Sequence, residues 1–104
     1  MSAVTLYVTT RDRAEATAIA RTVVWERLAA CANIVGDIAS IYRWDGDVRE
    51  DSEVALLLKT RAGLAGALTE RIVQLHSYDC PCVTVWDIAG GNADYLNWIE
   101  TETA

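Results

Sequence analysis

The sequence has one proline, one histidine, one methionine and no phenylalanine, and only three cysteines. Several of these shortages exclude something. An odd cysteine count argues against a disulfide framework and fits a reducing compartment. No apolar run approaches the ~18 residues that a membrane-spanning helix needs. No repeat, low-complexity tract or interdomain linker interrupts the 104 residues, so the expectation is one domain over 1–104. Basic residues are in deficit, with 9 Lys and Arg against 15 Asp and Glu and a formal charge of −6. That balance repels phosphate backbones and anionic membrane surfaces, so neither nucleic acid nor membrane is an expected partner, whereas cations are compatible with it. Met1-Ser2-Ala3-Val4 is not a basic region leading into an apolar core. With no secretory signal in view, the expected location is cytoplasmic.

Apolar residues are plentiful, at 52%, enough for a real core. The organising stretch runs from Cys31 to Thr60, centred on Trp44-Asp45-Gly46-Asp47. An Asp-Gly pair between alternating runs predicts a hairpin with a type I′ turn, which needs φ > 0 at both central residues. Alternation puts Ile38, Ser40, Tyr42 and Trp44 on one face of the incoming arm. On the outgoing arm, Val54, Leu56 and Leu58 face one way and Glu53, Ala55, Leu57 and Lys59 the other. Arms of roughly 12–14 residues would reach about 40–45 Å, whereas a 100-residue domain has a radius of gyration near ~13 Å. Either Gly36 and Asp37 interrupt the first arm, or the tip overhangs and needs support from neighbouring subunits.

The remaining elements follow by pattern. Val4 to Thr9 reads as a strand. Asp12 and Glu15 resemble a capping box ahead of a helix carrying Ala16, Ile19, Ala20, Val23, Val24 and Leu28. A second helix is expected over Arg61 to Leu75, although Gly63 and Gly66 weaken its start. His76 to Cys82 is a loop, and Val83 to Ala89 reads as a strand covered on both sides. Asn92 caps a short helix over Ala93 to Thr101. The fold class is therefore α+β, a ferredoxin-like βαββαβ sandwich with a long hairpin between its second and third strands and a short C-terminal helix.

Five blocks resemble the CutA divalent-cation-tolerance family. They are Arg27 to Ile34, Ser40 to Gly46, Glu53 with Lys59-Thr60, His76 to Pro81, and Tyr95 to Ile99. They stand in family order and spacing across nearly the whole chain. The resemblance implies a tight homotrimer joined by hairpin strands, an architecture similar to that of PII signalling proteins, and no established reaction. It also implies copper or another divalent cation as a ligand. The family loop usually reads His-Pro-Tyr-Glu-x-Pro, whereas Ser77 and Asp79 stand here at two of its positions. Copper-ligand proposals in the family invoke a first-strand cysteine and two adjacent histidines. Val8, Leu75 and His76 occupy those positions, so one of the three ligands survives.

The residues offer two candidate sites. His76, Cys80 and Cys82 would give a soft cation an imidazole and two thiolates, although a structural His76 at a helix end and a buried, metal-free cysteine pair are the plainer expectations. Lys59, Tyr78 and Trp98 are the polar and stacking groups of a pocket between subunits. Cys31 reads as a packing residue. The leading function is a trimeric cation-response protein that binds a metal or small ligand without catalysis, and the second is a trimeric scaffold contacting another protein. An acylphosphatase-like enzyme would need a phosphate cradle that Thr9-Thr10-Arg11-Asp12-Arg13, without glycine, does not provide. An RNA-binding sheet would need aromatics that Val54 to Leu58 lacks.

Overall fold

Residues 2–104 are described, in a computed structural model. The order is β1 (Ala3–Thr10), α1 (Arg13–Trp25), β2 (Cys31–Trp44), β3 (Asp47–Arg61), a 3-10 turn (Ala62–Leu64), α2 (Ala65–Leu75), β4 (Val83–Asp87) and α3 (Ala93–Glu102). The four strands form one antiparallel sheet in the order β2-β3-β1-β4. This is the expected ferredoxin-like arrangement with a long β2–β3 hairpin and a C-terminal helix.

Pleat parity explains the two faces of the sheet. Val4, Leu6 and Val8 of β1 join Leu56 and Leu58 of β3 against Ile19 and Val23 of α1 and Leu68 and Ile72 of α2, forming the main core. Helix α1 starts where Asp12 accepts the Glu15 amide at 2.8 Å, which fixes its first turn. Arg71 grips both carboxylate oxygens of Glu26 at 2.9 and 3.0 Å and so ties α2 to the end of α1. The opposite face is covered at one end by α3, whose Ile99 packs with Ala3 and Ala30 in a second, smaller cluster. Asn92 caps α3 by accepting the Asp94 amide.

The turn has Asp45 at φ 51° and Gly46 at φ 81°, as the type I′ geometry requires. Both possibilities raised for the long arms are realised in part. A bulge between Ile34 and Gly36 shifts the β2 register without ending the strand. Gly36 adopts φ 126° there, a value that side-chain-bearing residues rarely reach. The extra residue reverses parity: Ala32 and Ile34 face the helices before it, and Asp37 and Ala39 after it. The tip also overhangs. Strand β1 supports β3 only as far as Thr10↔Val54, while β2 and β3 run on for seven pairs, from Ile38↔Glu53 to Trp44↔Asp47. Seven residues add about 23 Å, and the molecule measures 44 × 25 × 22 Å.

Two expectations are corrected. Arg61 ends β3 instead of opening a helix, and the Gly63–Gly66 region forms a 3-10 turn before α2 starts at Ala65. Strand β4 stops at Asp87 and is not covered on both sides within the chain. It is one of the sheet's two outer strands, and Val85 and Trp86 are exposed.

Leu58 is fully buried between the sheet and both main helices. Leu58→Ala is expected to cost about 2–5 kcal/mol. Urea unfolding monitored by circular dichroism measures it, and a loss below about 1 kcal/mol would contradict this account of the core.

Candidate functional site

Loop 76–82 leaves α2 and folds over the base of the overhanging hairpin. Glu15, read from the sequence only as part of a helix cap, is its anchor. One carboxylate oxygen accepts the Arg11 amide at 3.0 Å and the other accepts the Ser77 amide at 2.9 Å. Burial alone would push the Glu15 carboxyl up, but hydrogen bonding from the Ser77 side chain, together with these two amides, outweighs it and holds its pKa below the usual range.

His76 is buried, and both ring nitrogens are engaged. Nε2 lies 2.8 Å from the Thr9 carbonyl, which only accepts, and Nδ1 lies 3.1 Å from the Tyr78 amide, which only donates. The ring is therefore the neutral tautomer with its proton on Nε2. Its 4.0 Å approach to Glu15 is accordingly not an ion pair. The Tyr78 ring packs on it with centroids 4.7 Å apart, and the Tyr78 hydroxyl donates to Glu53 Oε2 at 2.9 Å. Burial first, then that bond to Glu53, raises the Tyr78 pKa. On the ribbon, Tyr42 donates to Asp51, which raises its pKa in the same way.

Loop and ribbon together enclose a cleft of about 640 Å³, with Tyr42, Trp44, Glu53, Tyr78, Cys80 and Cys82 on its walls. Three of the residues singled out from sequence, Tyr78, Cys80 and Cys82, thus meet at one place. Two expectations about the metal set are corrected. The cysteines are exposed thiols, not a buried pair, because the loop projects them from the body. His76 does not converge with them as a ligand, since its nitrogens are spent on Thr9 and Tyr78. Among the described residues no three His, Cys, Asp or Glu side chains are grouped to hold a metal ion.

Lys59 and Trp98 lie elsewhere. Lys59 is six residues along β3 from Glu53, roughly 20 Å away, and donates to Asn33 at 3.0 Å. Trp98 stacks on Tyr95, whose hydroxyl is 3.4 Å from the Cys31 sulfur. That hydrogen bond, with burial, pushes Tyr95 up to about 12. Cys31 pairs with Lys59 in register, so Lys59 and Trp98 share the α3 end of the sheet, while Tyr78 belongs to the other end. The β1–α1 turn is closed on itself. Thr10 bonds to the Asp12 and Val54 carbonyls, and Arg11 gives its amide to Glu15 and its guanidinium to Asp12.

This geometry accompanies a clear kinship. The profile of the CutA1 divalent ion tolerance protein family matches residues 4–102. The chain belongs to that family. It is 43% identical over 100 residues to the chloroplastic CutA protein of Arabidopsis thaliana, covering 96% of this chain and 55% of that protein. It therefore spans about half the length of that relative. The divalent-cation tolerance protein CutA of Thermus thermophilus is 48% identical over 85 residues, 82% of each chain. The crystal structure of CutA1 from Oryza sativa superposes with a TM-score of 0.96 at 40% identity, covering 100% of this chain and 95% of that one. The family resemblance and the hairpin fold read from the sequence both stand.

Glu15 generates a pH prediction. Its folded pKa is depressed, so its contribution to stability is present above the unfolded value near ~4.3 and is lost as pH falls through the folded value. Glu15→Gln is expected to cost roughly 1–3 kcal/mol at pH 7 and to flatten the fall in stability as pH drops from about 5 toward the lowered folded value. Urea midpoints across that range test it. An unchanged acid slope in the variant would separate Glu15 from the loop's stability.

Proposed function

We propose that this chain works as a homotrimeric cation-response protein, binding a metal ion or small ligand in the cleft under the hairpin and performing no reaction on it. The observation that carries the trimer is the seven-pair ribbon beyond Val54. A two-stranded ribbon is marginal alone in water. This one exposes Ile41, at 68%, and Val48, at 66%, which lie diagonally on one side. Strand β2 is also an open, proline-free edge of 14 residues, which demands a pairing partner. A neighbouring subunit satisfies both needs.

The cation reading draws on kinship, since the Thermus relative is named for divalent-cation tolerance. Cys80 and Cys82 are the proposed donors, with His76 holding the loop in shape. In the ligand version, Lys59 and Trp98 of one subunit and Tyr78 of another frame a pocket between chains. Three free cysteines support a reducing, cytoplasmic location, and no described helix is long and apolar enough to cross a membrane. The Arabidopsis relative carries a chloroplast designation, so the compartment is specific to each protein.

A second reading has its own observation. Trp25 is 87% exposed at the end of α1, above a shallow groove lined by Ala20, Val24 and Ala30. An aromatic so placed favours a trimeric scaffold that docks another protein.

Native mass spectrometry of the untagged protein tests assembly and metal content together. The expected result is a trimer that dissociates toward monomer in the Ile41→Lys, Val48→Lys double variant. A folded wild-type monomer at micromolar concentration would end the trimer reading.

A further inference from the structure

We infer that Cys80 and Cys82 form a two-coordinate site for a soft monovalent cation of the Cu(I) or Ag(I) class, deepening the cation reading above and resting on it. Both thiols are free and exposed, and both line the cleft between loop and ribbon. The backbone between them is restricted on both sides. Pro81 fixes its own φ, and the residue before a proline is confined to extended conformations. Two α-carbons two residues apart lie at most about 7 Å from each other. Sulfurs gripping one ion from opposite sides, at metal–thiolate bonds of ~2.3 Å, would lie about 4.6 Å apart. The Cys-Pro-Cys segment spans that separation without drawing on any other element.

The surroundings decide which ion. Zinc wants four ligands in a tetrahedron, and Cu(II) wants a tetragonal set rich in nitrogen and oxygen. Neither set is available. His76 has no free nitrogen, and although Asp51, Glu53 and Asp79 also line the cleft, no three His, Cys, Asp or Glu side chains among the described residues are grouped to hold an ion. What remains is a pair of thiols in the cleft that Tyr42 and Trp44 also line. Thiolates select Cu(I), and a d10 monovalent ion accepts linear coordination by two of them. The step is a proton exchange without redox change. Two S–H bonds lose their protons to solvent, two metal–sulfur bonds form, and the complex carries one negative charge.

The test is an anaerobic titration of the reduced, full chain with Cu(I) against a chromophoric Cu(I) chelator, with Zn(II) and Cu(II) titrated in parallel. One Cu(I) per chain is expected, with ultraviolet thiolate-to-copper charge-transfer absorption. Cys80→Ser and Cys82→Ser should each weaken Cu(I) binding by about 100-fold, and Cys31→Ser by less than about 3-fold. Both serine variants replace exposed side chains, so circular dichroism should match the wild type. Uptake of Cu(I) unchanged in the double serine variant would overturn the site. So would one Cu(I) shared between two chains, or tighter binding of Zn(II) than of Cu(I). If a divalent ion binds and ignores both serine substitutions, the cation reading survives and this site does not. If the trimer binds none of the ions, both fall.

Discussion

The rest of the structure depends on where β1 stops. Strand β3 has β1 beside it up to Thr10↔Val54, and beyond that point only β2 accompanies it. A three-stranded sheet with helices on one face stands on its own, whereas a two-stranded ribbon does not. The boundary at Val54 therefore divides the molecule into a self-sufficient body and an arm that must be held. Burial follows the same line. Val54, Ala55, Leu56 and Leu58 are buried, and every residue from Ile41 to Ser52 is exposed. The bulge at Val35 and Gly36 lies one pair inside the boundary, where it reverses which β2 side chains face the helices. The arm thus presents Ile41 on the helix side, and Tyr42 and Trp44 on the side where loop 76–82 folds over.

Within a single chain the arm has one brace. Asp12 starts α1, Glu15 three residues later holds the Ser77 amide, His76 is pinned to Thr9, and Tyr78 reaches Glu53 at the ribbon's root. Each link is a buried or half-buried hydrogen bond with an identified donor and acceptor, so the loop's shape is set by the body it rests on. The arrangement also separates roles. His76, the residue that sequence chemistry most readily offers to a metal, is committed to structure. The exposed thiols four and six residues further on are not.

How much of this was legible follows from the range of each interaction. The hairpin, its turn and the starts of α1 and α3 were readable because Asp45-Gly46, Asp12 and Asn92 act on neighbours within three residues. The core followed from parity and helical spacing. The β4 reading failed because apolar composition cannot tell a central strand from an outer one. The site was half legible. Tyr78, Cys80 and Cys82 lie within one loop and were each singled out, Tyr78 for a pocket and the cysteines for a metal, but Glu15 and Glu53 come from 62 and 25 residues away. No local pattern announces such contacts. Glu15 carried one signal, its place at the third helical position, and that signal pointed only to the cap.

Ser77 shows how a departure from the family pattern can have a physical cause. The resemblance puts a proline at this position, and proline has no N–H to give. Here the Ser77 amide donates to Glu15, so the chain has a hydrogen bond that the usual residue forbids. The preceding backbone would accept either residue, since His76 at φ −78° and ψ 146° is already in the extended region that proline demands of its neighbour. The exchange therefore trades rigidity in the chain for a charge-assisted anchor on α1. A proline holds the loop by limiting its own φ, whatever surrounds it. A bond to Glu15 holds it most strongly while that carboxylate is ionised. The loop that carries the Cys-Pro-Cys segment is thus fixed by a hydrogen bond to α1, while the single remaining proline stiffens the segment between the two thiols.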